Sequence, residues 1–292
     1  MVSDRGLKWR FMSLMLGLLF CSLVHAQRAA RPDWTERDTG DVFFEDAFRE
    51  GLQGNRPDQP VTPVTSTNET EHAWSKCVTA TTLENEIKEA LADLKRTSKR
   101  GPLSGPAAMQ LRHRLQHLAA TLAVVAQYDG EVRWQAVAGH QAQELARLAT
   151  ETPTASTREE AEAVLQALVA GTAAADRVSV EVDTLATRPA IMTRLQEAEA
   201  RLKAALANAR GFKRRRGMIE REAEIIALQA AILTLPELDD SADDDYVAWC
   251  QELSQAAEAI AAAATAADLD AAQQHFGTMQ QSCTDCHEMY RG

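Results

Sequence analysis

The sequence predicts an all-α protein built as two tandem antiparallel four-helix bundles. Three observations carry that expectation. The chain of 292 residues is rich in Ala, Leu, Glu and Gln and only 5% aromatic, a composition that favours helix. Apolar residues recur at helical spacing through eight stretches from about residue 74 onwards, broken by Gly and Pro. The eight fall into two sets of four in one order, and short connections between amphipathic helices make antiparallel neighbours.

Residues 1–26 stand apart. Arg5, Lys8 and Arg10 precede an apolar run from Phe11 to Val24, which ends at Val24-His25-Ala26. A basic start, a short apolar stretch and a small residue at the cut site describe a secretory signal peptide, too short to span a bilayer comfortably. An uncleaved anchor is the alternative; Phe20 before Cys21 is a poor match for a lipidation site. Residues 27–73 form a polar arm with Pro32, Pro57, Pro60 and Pro63, in which only Asp41 to Leu52 reads as structured. Such a composition cannot bury enough apolar surface to fold alone.

Helix patterns then cover 78–98, 106–128, 130–150 and 157–174 in a first domain, 74–180. They cover 188–210, 217–235, 243–265 and 267–290 in a second, 181–292. Between them Val178, Val180 and Val182 alternate as in a strand, though a lone strand would find no sheet. At an offset of about 112 residues Leu83 meets Leu195, Ala92 meets Ala204 and Leu94 meets Leu206. Near 115, Trp134 falls on Trp249.

The formal net charge is −11, with no dominant Lys/Arg stripe, which disfavours nucleic acid. The leader carries +2 (Asp4 against Arg5, Lys8 and Arg10), so its removal leaves −13. The remaining cysteines are Cys77, Cys250, Cys283 and Cys286. In an oxidising compartment each must be bridged, ligated or protected. A Cys77–Cys250 pairing stays open, since connectivity needs geometry.

The chemistry concentrates in Cys283-Thr284-Asp285-Cys286-His287. In an exported chain this spacing points to covalent haem c. Two thiols three residues apart lie on one helix face and can add across the haem vinyl groups. His287, four residues after Cys283, shares that face and can reach the iron. Leu269, Ala272, Phe276, Met279, Cys283, His287 and Tyr290 form one stripe at spacings of three or four, which points the motif into the bundle interior. Leu253, Ala257 and Ile260 supply a matching stripe on the preceding helix, with Trp249 at its start. A thioredoxin-like pair would need a βαβ context, and none exists. Structural zinc wants four ligands; His275 and Cys250 are at hand without a second ordered pair, and a plain disulfide is the remaining alternative.

Phe276…Cys283-x-x-Cys286-His287-x-x-Tyr290-Arg291, ending the fourth helix, resembles the cytochrome c′ superfamily of four-helix-bundle cytochromes. The resemblance covers about residues 185–292, strong over the last helix and weak elsewhere. It implies one haem c, His287 as proximal ligand, Arg291 close to the haem and a distal face built by the first helix of that bundle. The whole chain is similar to exported proteins with a doubled bundle and a single C-terminal motif. Family members with an apolar distal residue hold five-coordinate iron and bind small gases; members with Met there transfer electrons. Met192, one turn before Leu195, occupies the matching place, either as ligand or as core, since Met fills apolar gaps readily. At the offset of 112, Cys283, Cys286, His287 and Met192 map to Gly171, Ala174, Ala175 and Ala80, so the first bundle should bind no haem.

The favoured expectation is a periplasmic cytochrome passing single electrons to a redox partner protein, not itself an enzyme and without stable membrane insertion. The alternatives are gas binding (NO or CO) at an open distal site, or a haem-bearing interaction subunit of a larger redox complex. A homodimer stays open. Lys213-Arg214-Arg215-Arg216 reads as a solvated loop. His113, His117 and His140 read as ordinary surface residues on polar helix faces. Asn68-Glu69-Thr70 fits a glycosylation sequon that would mean little in a bacterial periplasm.

Overall fold

A computed structural model of the chain describes residues 73–97, 103, 105–173 and 178–290, all within one compact unit spanning 69–292. The expected signal peptide, the expected arm up to residue 72 with its sequon, and Arg291 lie outside the described residues, as do Ala174 and Ala175, the positions matched to Cys286 and His287 at the offset of 112.

Among the described residues there is a 3₁₀ turn at Trp74–Lys76, nine α-helices and no strand. The helices are α1 Ala80–Thr97, α2 Gly105–Ala126, α3 Gln135–Leu148, α4 Ala155–Ala170 and α5 Val182–Leu185. They continue with α6 Arg188–Leu206, α7 Ala209–Leu233, α8 Asp244–Thr265 and α9 Leu269–Tyr290. Their limits follow local chemistry. Thr154 and Thr157 form a capping box at the start of α4, and Gly171 closes it with a left-handed φ of 73°. Pro189 opens α6, where its missing N–H costs nothing. The Asp243 side chain accepts from the Asp245 and Tyr246 amides at the head of α8.

The alternating valines form no strand. Residues 178–180 run without regular structure into the single turn of α5, and the Val178 carbonyl presses on α3 at Gly139. A Cβ at 139 would lie 2.1 Å from that oxygen, so only Gly permits the approach. The basic run also differs from expectation: it is not a loop but lies in the opening turns of α7. Asn208 caps the helix by accepting from the Gly211 amide at 2.8 Å, and buried Phe212 anchors it. The chain absorbs Gly217 with a kink at Arg215 (φ −119°, ψ 16°) instead of a break.

Packing follows chain order. α1 to α4 touch in a closed cycle, each against the next and α4 against α1; α6 to α9 do the same. α2 also packs along α5 and α6, and α7 touches α1. The first cycle is filled by fully buried leucines such as Leu83, Leu115, Leu122 and Leu165. The second is leaner, built from Leu202, Ile219, Ala257, Ile260, Phe276 and Met279.

A buried charge cluster joins the two. Arg194 of α6 forks onto Glu86 of α1, Nε–Oε1 2.7 Å and Nη2–Oε2 2.9 Å, and its Nη1 lies 2.8 Å from Glu222 of α7. Arg201 and Arg221 also donate to Glu222, at 2.7 and 3.2 Å. Burial alone would raise the Glu86 carboxyl, but the Arg194 charge and the His117 and Arg194 hydrogen bonds overcome it and hold the group well below its ordinary range. His117 is therefore no surface residue. It is buried, with Nε2 3.0 Å from Glu86 Oε1, because its carboxylate partner comes from another helix 31 positions away. His113 bonds Thr193 Oγ1 at 2.9 Å, and His140 is exposed.

Candidate cofactor site

Antiparallel neighbours bring the starts of α6 and α8 to the same end as the finish of α7 and α9. There they surround a cavity of about 650 Å³. α9 contributes Cys283, Cys286, His287 and Tyr290; α6 contributes Arg188, Met192 and Leu195; α8 contributes Tyr246, Trp249, Cys250 and Leu253; Leu233 closes α7. The three motif residues and Met192, singled out from sequence, thus line one space.

The stripe along α9 explains the orientation and departs from expectation at its end. Ala272, Phe276 and Met279 are buried in the core, but Cys283 and Cys286 are half-buried and His287 is exposed. Beyond Ser282 the helix flanks the cavity instead of a packed interior, so the imidazole stands at an opening to solvent. Met192 is half-buried.

Burial, with Cys286 and Glu199 adding to it, pushes the Cys283 thiol up to about 11. Burial raises Cys286 too, against the pull of Arg188. Cys250 rises to about 12, through burial and then the neighbouring Cys286. All four described cysteines are free, Cys77 and Cys250 included, so no bridge links that pair. Thiols held in the protonated form exchange slowly with disulfides.

Two cavity groups, Arg188 and Tyr246, are not singled out by the sequence. Arg188 holds Asp240 (Nη1–Oδ2 2.8 Å) and the Asp239 carbonyl, with its guanidinium 5.2 Å from the Tyr246 ring centre. Tyr246 meets Tyr290 edge-on at 5.2 Å, and Trp249 meets Tyr290 at 5.7 Å. The Tyr290 hydroxyl donates to Asp243, tying the end of α9 to the head of α8. Residues 246, 249, 250 and 253 recur at helical spacing, so the apolar face was legible; its meeting with Cys286 was not.

The donor set fits haem. Two thiols three apart on one helix, an imidazole one turn on and a thioether on another wall face apolar Leu195, Leu233, Leu253 and Trp249. The volume lies in the range of small-molecule and cofactor sites, about 300–1,000 Å³. No group of three or more His, Cys, Asp or Glu among the described residues is placed to hold a metal ion, so the zinc alternative lacks its ligand set. A second cavity, about 370 Å³ between α1, α2 and α6, contains no motif residue, and most of its charges already pair, as Glu86 does with Arg194.

An all-helical bundle with this cavity defines a class: helical proteins that seat a cofactor between facing helices. Residues 241–291 match the family model described as Cytochrome C′, so the C-terminal region carries that family's pattern, which supports a haem c protein of the cytochrome class. No curated protein and no solved structure matches it.

Proposed function

We propose that the protein is an exported, periplasmic c-type cytochrome that holds one covalent haem and passes single electrons to and from a partner protein. The observation behind this reading is that Met192 lines the same cavity as Cys283, Cys286 and His287. In this reading residues 74–180 form a haem-free bundle, 181–292 form the haem-binding one, and the mature chain begins near Gln27.

The haem, when bound, supplies a one-electron iron couple. The residues do the rest. Cys283 and Cys286 would hold the macrocycle through thioethers, and His287 would offer its imidazole nitrogen to the iron. Met192 would offer a thioether to the same iron, and a His/Met ligand pair would raise its potential. Arg188, kept in place by Asp240 and Tyr246, would offer a cation to a carboxylate of the bound group. Leu233 and Leu253 keep water from the inner wall. The protein carries electrons and is not itself an enzyme.

A second reading, gas binding, draws on the exposed His287 and on Leu195 beside Met192 in the wall. Absorption spectra of the reduced protein with and without carbon monoxide separate the two. Electron transfer predicts low-spin iron slow to take carbon monoxide, and Met192→Ala should make binding rapid and lower the potential. A wild-type protein that is high-spin and binds at once hands the lead to gas binding. A pyridine haemochrome assay should read close to one haem per chain, and haem extractable by acid-acetone would defeat covalent attachment.

A further inference from the structure

We infer that Glu86, on the first helix of the chain, is a positioning residue for the cavity at the far end of the sequence: acting through Arg194, it sets the rotation of the α6 segment that carries Met192. This rests on reading the cavity as a haem site.

The early part of α6 has two working faces. Met192 and Leu195 look onto the cavity, while Arg194 between them reaches the opposite way into the charge cluster. The contact has directional content. A guanidinium fork on one carboxylate fixes plane as well as distance, and the third nitrogen lies 2.8 Å from Glu222 as an ion pair without a hydrogen bond's direction. Water cannot substitute for these partners, because Arg194, Glu86 and Glu222 are only 5%, 7% and 0% exposed. His117 holds the Glu86 carboxylate from α2, so the clamp itself is anchored.

Two further contacts bracket the same stretch. Thr187, just before α6, donates to Gln116 Oε1 at 3.1 Å, and Thr193 Oγ1 meets His113 Nδ1 at 2.9 Å. Residues 187, 193 and 194 therefore hang on α1 and α2, with Met192 between them. By contrast α6 touches α9, the motif helix, only lightly. The rotation of this stretch is thus set in part from α1 and α2, outside the cycle of helices that encloses the cavity.

Geometry sets the stakes. On a helix whose side chains reach about 5–6 Å from the axis, a rotation of about 20° moves a side-chain tip by about 2 Å. Metal–ligand distances tolerate only about 0.2 Å. Packing of a half-buried Met does not fix rotation that finely, whereas a buried bidentate ion pair does. The haem-free helices thereby hold the distal wall in place.

The test uses the full-length haem-loaded protein, comparing wild type, Glu86→Gln and Glu89→Gln. Glu89 lies on the same helix and pairs with Arg221 of α7, which also donates to Glu222, so it controls for loosening at the rim of the cluster with the Glu86–Arg194 fork left intact. Haem per chain and far-UV circular dichroism report attachment and fold; spin state and carbon monoxide affinity report the distal wall. We expect Glu86→Gln to keep one haem and its helix content while becoming more high-spin. If the open fraction rises from about a hundredth to about a tenth, affinity for carbon monoxide rises about tenfold. Glu89→Gln should match wild type. If Glu86→Gln does not accumulate folded, the double variant His113→Ala, Gln116→Ala removes the two flanking anchors, neither of which lines the cavity, and carries the same expectation. Should wild type prove high-spin, the association rate is the readout, since Met192 still screens the distal side. A folded, haem-loaded Glu86→Gln protein with wild-type spin state and carbon monoxide binding overturns the inference alone. A wild-type chain without haem defeats the reading of the cavity and the inference together.

Discussion

α4 and α9 close their respective cycles of helices, yet α4 has 16 residues and α9 has 22; their partners α3 and α8 have 14 and 22. The difference falls at the motif. Gly171 stops α4 in a left-handed turn, whereas Cys283, 112 positions further on, is followed by seven more helical residues. The cavity therefore does not come from hollowing a core. The second set of helices packs as far as Met279 and Ser282 and then continues, and the added turns hold the thiols and imidazole against the heads of α6 and α8.

Four experiments bear on that contrast. The largest effect belongs to Cys283→Ala with Cys286→Ala, which should abolish covalent haem altogether, read as peroxidase-stained haem on a denaturing gel; surviving stain would mean attachment elsewhere. Next comes Leu165→Ala in α4. Fully buried, it should cost about 2–5 kcal/mol in urea unfolding and yet leave the haem spectrum of the folded protein unchanged. A shifted spectrum would show that the first core shapes the cavity directly.

Acid gives a smaller, graded effect. The folded Glu86 carboxyl sits below its ordinary 4.5, so its contribution is present above that pH and fades as pH falls through it towards the folded value. Glu222 is shifted the same way: the charges of Arg194 and Arg201 outweigh its burial. Unfolding midpoints should drop as the pH is taken below about 5, and drop less in Glu86→Gln. Equal losses would assign the acid sensitivity to other carboxylates. The smallest effect is kinetic. Cys77, pushed up to about 12 by burial, should alkylate slowly at pH 8 in the folded chain, followed by mass spectrometry, and faster with each added pH unit. Rapid labelling at pH 8 would place that thiol in an open environment.

The helices were legible because their apolar spacing is local: α8 and α9 begin within two residues of the expected positions. The start of α7 was missed because Gly211 and Gly217 signal a break in isolation, while the anchor that overrides them, buried Phe212, depends on tertiary contact. The Trp134–Trp249 correspondence dissolves for a related reason. Trp134 caps α3 in a left-handed turn and Trp249 lies inside α8, so the residues share a letter but not a place. At the site, the Cys283–His287 motif could be read because its spacing is local to one helix, and Met192 because the family resemblance points to the start of that bundle's first helix. Arg188 and the Cys250–Cys286 neighbourhood could not, since each joins separate helices. The buried state of His117 was hidden in the same way, its carboxylate lying on α1.

The basic opening of α7 makes the molecule electrically lopsided. Arg210, Lys213, Arg214, Arg215 and Arg216 are all exposed at one end of a 25-residue helix, roughly 37 Å long at helical rise. At its other end, beside the cavity, stand exposed Glu237, Asp239, Asp240, Asp243, Asp244 and Asp245. The two poles give a permanent dipole along the bundle, on top of a net negative charge. In the field of a cation-rich surface such a body turns before it touches, cavity end foremost. Salt shortens the reach of that torque to about 8 Å at physiological strength, so the molecule would tumble at random until nearly in contact and orient only over the last few ångströms.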